Sequence, residues 1–579
     1  MLHTNIIHRI DAEQDCLEAL SFQLECAEHL SIPTSNLLSL PALSEPSSIE
    51  IAEGIAERDG HELGLHFHGY HCKEVEDRFN TRETAFWLLP QPTRARIIDL
   101  MMQRFQDRFG HLPKSVGCYI LDAWTLKYLK SNYAEVECAI SNCFEEGVKM
   151  FHGNNNNWNL FSDGGPWGPF YPSRDCALVP AANAEEAIDV VSLPHLSRDM
   201  IYALISRDDY FATHPGNVFR ARINEGDCCP YLFRHIDAWL RQSQFNPTSY
   251  INIFVSSPWL LQRHWTVDSQ EDVRSLYRKT LQHVAENPAI KACTMADFSK
   301  TFREKTPHGK ASICHWKDEL SGSKREIAWI VNPHFRAAID MNAGGSICDL
   351  RSYSGKLNLD MGPETKAKWN GSYPFLVSAE LRGGHQNSHQ GFELTYKGTT
   401  VSCLERRGRC KILGTHGDNG WNIKLEPLTY LLGDLKVSLQ SEWKVGNGGE
   451  IRVTRSLVGL SDSTAAVGIA EVLSGTFGTT EYPEDLDGVS LALDQEGSPH
   501  YKEVRFSLSG KPATCGKATS VSVVIPQAKT TLSLSSNGEL RDASIQDGTL
   551  THPNYRMSIG REIKLNQTMK TYLTIAPQT

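Results

Sequence analysis

Histidines, carboxylates and aromatics close several apolar, strand-like runs in the first half of this 579-residue chain. The run Asn5–Asp11 ends Arg9-Ile10-Asp11-Ala12-Glu13, so Asp11 and Glu13 share one face if extension persists. The run His61–His68 ends His66-Phe67-His68, and two-residue spacing puts both imidazoles on one side. A later run ends Leu193-Pro194-His195, which places a third imidazole for metal binding or proton transfer. Asp11, His66, His68 and His195 together predict a divalent-metal site, and mixed nitrogen and oxygen donors match Zn²⁺ best. Histidine is common here (22 residues), so each also has a plain reading as a hydrogen-bonded structural side chain.

Carboxylates offer a second chemistry. Asp122 stands where the run Ser115–Leu121 meets a helix-like stretch, with Tyr119 and the expected substrate-binding residue Trp124 beside it. There a carboxylate serves as nucleophile or general acid; equally, Asp is a favoured helix N-cap. Arg198 and Asp199 follow His195 and suit a substrate contact and an acid/base, or an ion pair at a helix start. Asp208 and Asp209 are further acid/base candidates, or part of a solvated turn. The stretch from Trp158 to Arg174 is rich in Gly, Pro and aromatics. Its Trp158, Asp163, Trp167 and Tyr171 pair flat apolar faces with polar groups, as sugar binding requires. The alternative is a loop that staples itself down by its own side chains.

These residues need strands and helices to hold them. Strand-like and helix-like runs alternate from Asn5 to about Glu286, as in Ala12–Leu30, Arg94–Phe109 with Ile97, Met101 and Phe105 on one stripe, and Tyr250–Ser256. Repeated βα units predict a parallel sheet covered by helices and curled into a barrel or partial barrel. An open doubly wound sheet is the alternative, although no Gly-rich dinucleotide turn follows the first strand. In the barrel, reacting groups project from the C-terminal strand ends. Near Thr306 helical periodicity fades, and short alternating strands such as Ile327–Val331, Lys436–Leu439 and Val521–Ile525 follow, predicting a large β-sandwich. The expected domains are residues 1–308 and 309–579.

Composition narrows the classes. Lys+Arg 58 against Asp+Glu 68 gives a net charge of −10, without long basic runs, which disfavours a nucleic-acid partner. No apolar run reaches the roughly 18–20 residues of a membrane span. The N-terminus lacks a signal-peptide pattern, and the 15 cysteines are scattered without CxxC spacing, so a cytoplasmic location with reduced thiols is expected.

With His61-Glu-Leu-Gly-Leu-His66 and Gly117-Cys-Tyr-Ile-Leu-Asp122 in this order, the chain resembles the glycoside hydrolase/deacetylase superfamily. Those are distorted (β/α)₇ barrels that include polysaccharide deacetylases and the family 57 and family 38 glycoside hydrolases, commonly with an appended β-sandwich. The resemblance implies that His66 is a metal ligand. Asp11 stands alone where deacetylases pair two aspartates, Tyr70 occupies the place of their second histidine, and their Arg-x-Pro-Tyr is missing. It also implies that Asp122 occupies the nucleophile position of the glycosidases. The expected function is then a retaining glycosidase acting on an oligosaccharide or glycoside, with Asp163, Asp199, Asp208 or Asp209 as acid about 5–5.5 Å from Asp122. A metal-dependent carbohydrate deacetylase is the alternative, with Asp11, His66 and His68 holding the metal that activates water. A catalytically inactive carbohydrate-binding protein is the third.

Overall fold

The structure, a computed structural model, describes all residues except 68–72, 84, 143–163, 196, 198, 202–229, 262–269, 319–321, 365–374, 380–387, 415–419, 477–489, 495–503, 506–511, 547–553 and 579. The chain forms two compact units. The first comprises Met1–His308 with Glu319–Gly322 and Asn358–Tyr373; the second comprises Gly309–Asp318, Ser323–Leu357 and Pro374–Thr579.

In the first unit, strands β1 (Leu2–Ile10), β2 (Thr34–Leu38), β3 (His61–His66), β4 (Ser115–Gly117), β5 (Cys138–Asn142), β6 (Val191–Pro194) and β7 (Ser249–Phe254) lie in the order β6-β5-β4-β3-β2-β1-β7, and β8 (Ile290–Ala292) pairs with the start of β1. The pairings are parallel. Every residue of β1 is buried, as expected of a strand covered on both faces. The covering helices are α1 (Gln14–His29), α2 (Pro46–Ala56), α3 (Lys73–Phe79), α4 (Gln91–Phe109), α5 (Ala123–Asn132), α6 (Pro230–Arg241), α7 (Gln270–Glu286) and α8 (Met295–Lys305). Helix α4 buries Ile97, Ile98, Met101, Met102 and Phe105 on one stripe, and Gly110 ends it at φ +76°.

Among the described residues no backbone ladder joins β6 to β7; Asn252 bridges the seam. Its side chain donates to the carbonyls of Pro194 and His195 and accepts from the Ser197 amide, while Ser197 Oγ accepts from the Asn252 amide. The result is a curled parallel sheet with one irregular seam, a distorted (β/α) barrel. Helix α8 crosses the strand starts. The Met295 amide reaches Ser35, the Ala296 amide reaches Glu62, and Arg303 reaches the Glu137 and Asp189 carbonyls. That helix closes the N-terminal end, so the C-terminal strand ends form the mouth.

The second unit is antiparallel, with an 11-stranded and a 10-stranded sheet. Strand Leu435–Val445 shows the period-2 burial of a sandwich, with Leu435, Val437, Leu439, Trp443 and Val445 inward. Between the sheets Arg455 and Glu471 form a fully buried ion pair at 2.6 Å, and the guanidinium lies over the Phe392 and Trp443 rings. The 11-stranded sheet ends at β9 (Ser312–Lys317), beside β10 (Glu326–Val331). The 10-stranded sheet ends at the strand Cys410–Leu413. Among the described residues, no helix is long and apolar enough to cross a membrane, and none of the described cysteines is in a disulfide.

Candidate functional site

At the mouth, His66 is the last residue of β3, His195 follows the last residue of β6, and Phe254 is the last of β7. Their rings meet: His66 and His195 stand 6.1 Å apart between centroids, and each lies within 6 Å of Phe254. Tyr119, two residues past β4, stacks on His195 at 4.3 Å. Trp87 packs on Tyr119, and Trp259 on Phe254. The close approach at His66 depends on Gly117, where a Cβ would lie 3.2 Å from the imidazole Cδ2 and 3.0 Å from Leu37 Cδ1.

Both imidazoles are fully buried. Burial, reinforced by the nearby Arg9 guanidinium, lowers His195 to about 3 and holds His66 well below the ordinary histidine value. Both are therefore neutral near pH 7. Neither ring nitrogen of His195 has a hydrogen-bond partner among the described residues. A buried imidazole costs free energy unless something beyond the described residues completes its hydrogen bonds.

Arg9 is the residue that sequence reasoning passed over. Its guanidinium holds Asp11 in a two-pronged ion pair, with Nε 3.0 Å from both carboxylate oxygens and Nη2 2.9 Å from Oδ2. The available signal was the i, i+2 spacing of Arg9, near the end of β1, and Asp11 just past it.

That pairing bears on the expected metal. The donor set assembled among the described residues is two neutral imidazoles beside a guanidinium, with the Asp11 carboxylate already taken. No group of three or more ligating atoms within 4.8 Å of one another includes His66, His195 or Asp11 among the described residues. Among the described residues, the Asp11 carboxylate that the expected set would use is shared with Arg9. His68 lies outside the described residues. Glu13 and Asp15 lie with Cys16 in a separate cluster at the start of α1.

Asp122 is placed differently from a nucleophile. It caps α5: Oδ1 accepts from the Thr125 amide at 2.8 Å and from Thr125 Oγ1 at 2.6 Å. Oδ2 accepts from Arg94 Nη1 at 2.8 Å and from the Met361 amide at 2.6 Å. Arg94 is fully buried and also binds Thr125 Oγ1 and the Met361 carbonyl. An attacking carboxylate needs a lone pair aimed at substrate, and here four donors occupy both oxygens. These contacts match the helix-cap reading that the sequence left open beside the nucleophile, with Arg94 added as an ion-pair partner. Trp124 belongs to the same assembly, stacked on Tyr128 and lying under Arg94.

Tyr171 has partners of its own. It lies at the strand starts, stacked on His308 at 3.9 Å, packed on Phe302 and donating to the Thr306 carbonyl. Trp167 is buried three residues before Phe170, which bridges to Ser192 of β6. Asp199 is fully buried just before a helical turn that begins at Met200. Trp158, Asp163, Arg198, Asp208 and Asp209 lie outside the described residues.

Residues 61–326 match the model of a family described as a domain of unknown function with a solved structure, DUF3863. None of the curated proteins compared matches the chain. Among solved structures, the chain is similar to a glycoside hydrolase/deacetylase candidate from Parabacteroides distasonis, at 16% identity over 63% of this chain and 88% of that one, with a TM-score of 0.47. It is also similar to a 4-alpha-glucanotransferase from Thermococcus litoralis, at 10% identity over 99% of each chain and a TM-score of 0.30. A polysaccharide deacetylase candidate from Mycobacterium smegmatis matches at 13% identity over 53% of this chain and 92% of that one, with a TM-score of 0.31.

Proposed function

We propose that this chain is a carbohydrate-active hydrolase whose reaction takes place at the barrel mouth, around His66, His195, Tyr119 and the Arg9–Asp11 pair. The observation that carries the reading is the pair of buried, neutral imidazoles brought from β3 and β6 into a box of aromatic rings. Uncharged imidazoles exchange hydrogen bonds with hydroxyl and amide groups, and the rings offer faces for sugar C–H edges. The Arg9–Asp11 pair adds donors and acceptors beside them at no net charge. An uncharged polyol suits such a site better than a phosphorylated or carboxylated one.

Of the two hydrolytic reactions, removal of an acyl group from the sugar is the better supported. Glycosidic cleavage by a retaining route needs a free nucleophilic carboxylate, and Asp122 is saturated. In the acyl-transfer reading, the neutral His195 orients the attacking water, whose proton goes to the departing sugar oxygen or nitrogen as its bond to the acyl carbon breaks, and His66 contacts the acyl oxygen.

The test is a panel of acetylated chitooligosaccharides and aryl glycosides, each assayed with and without chelator. Acetate release should fall by about 100-fold or more in His195→Gln and His66→Gln, with binding of the sugar weakened less. Cleavage of an aryl glycoside that is abolished in a folded Asp122→Asn variant would overturn the proposal. Acetate release that chelator abolishes would return a metal to the mouth.

A further inference from the structure

The second unit holds three ligating side chains that the barrel chemistry does not use. In the β9–β10 register Glu326 faces Lys317 and Ala328 faces His315, so Glu326, Lys317 and His315 project from one face. Cys410 opens the strand Cys410–Leu413 at the edge of the other sheet. His315 Nε2 lies 2.6 Å from Glu326 Oε1, and Cys410 Sγ lies 3.8 Å from that nitrogen and 3.7 Å from that oxygen. All three side chains are half-buried.

We propose that His315, Glu326 and Cys410 form a zinc site that clasps the edges of the two sheets, with a fourth position left for water. Donors bonded to Zn²⁺ at about 2.0–2.3 Å in a tetrahedron stand about 3.3–3.5 Å apart. The sulfur already sits near that spacing from both partners. Only the His315–Glu326 pair must open, by less than about 1 Å, once the hydrogen between them gives way to the ion. Thiolate and imidazole favour Zn²⁺ over Mg²⁺ or Ca²⁺, and the thiolate and carboxylate charges offset those of the cation. Binding displaces the thiol proton to solvent. Lys317 Nζ, exposed and 3.9 Å from Glu326 Oε2, is left on the oxygen that faces away from the ion. The site is independent of the barrel reading, and neither failure would bring down the other.

Zinc chloride alone, added at one equivalent to the full chain, tests the site through iodoacetamide labelling of Cys410 followed by peptide mass spectrometry. Labelling of Cys410 should slow about tenfold or more, because only the free thiolate reacts readily, while the exposed Cys515 keeps its rate. Cobalt(II) should give a thiolate-to-metal charge-transfer band that Cys410→Ser removes and Glu326→Gln weakens. Unchanged labelling of Cys410, or a band that persists in full in Cys410→Ser, would overturn the proposal. If Cys410→Ser does not fold, the labelling arm decides by itself, because it needs no variant.

Discussion

Replacing Asp122 with Asn tests the most consequential geometry in the barrel. The change keeps a side chain that caps helices about as well as Asp, so the capping loss alone is a few tenths of a kcal/mol at most. The ion pair dominates. Arg94 and Asp122 side chains are 0% and 2% exposed, and removing the carboxylate charge leaves a buried guanidinium without its counter-ion. Breaking such a pair from one side costs about 3–5 kcal/mol. Replacing both partners, as in Arg94→Met with Asp122→Asn, removes the stranded charge, although Met gives up the bonds to Thr125 and the Met361 carbonyl. The double variant should therefore recover about 1–3 kcal/mol relative to the sum of the single changes. Urea unfolding followed by Trp fluorescence, on all four proteins, measures the cycle. An Asp122→Asn protein that unfolds like the wild type, yet has lost all turnover, would refute the structural reading and restore the nucleophile.

Three further outcomes follow. His195 and His8 titrate at about 3 and about 4 in the folded chain, against 6.5 unfolded, so the unfolded state binds more protons below pH 6.5 and stability falls as pH drops. At pH 5 each contributes a loss of about 2 kcal/mol, with His66 acting in the same direction; urea midpoints from pH 8 to pH 4 check this, and His195→Gln should flatten the slope. Gly117→Ala crowds His66 and Leu37 and should cut acyl-sugar hydrolysis about tenfold or more while costing about 1–3 kcal/mol; wild-type kinetics in that variant would count against His66 as a reacting group. Tyr171→Phe loses only the bond to the Thr306 carbonyl, worth about 1 kcal/mol, and should leave KM and kcat unchanged; a raised KM would return Tyr171 to the sugar site.

Much of the architecture was legible in the chain because its signals are local. The helical stripe of Ile97, Met101 and Phe105 recurs at three- and four-residue spacing, and the strands of the second half alternate at two. Those periods arise within single elements and need no partner to be seen. For the same reason His66 and His195 could be picked out at strand ends. What the local pattern could not show is which group reaches a charged side chain first. Arg94 is 28 residues from Asp122 in sequence and Met361 is 239, and together they turn an apparent nucleophile into a saturated cap. Tyr171 goes to the strand starts because α8 returns from far along the chain to cross the bottom of the barrel. Asn252, 55 residues from Ser197, bridges a seam that strand periodicity does not mark. Coulombic pairing and hydrogen bonding act over a few ångströms regardless of sequence separation, so these assignments became fixed only when the tertiary fold set the neighbours.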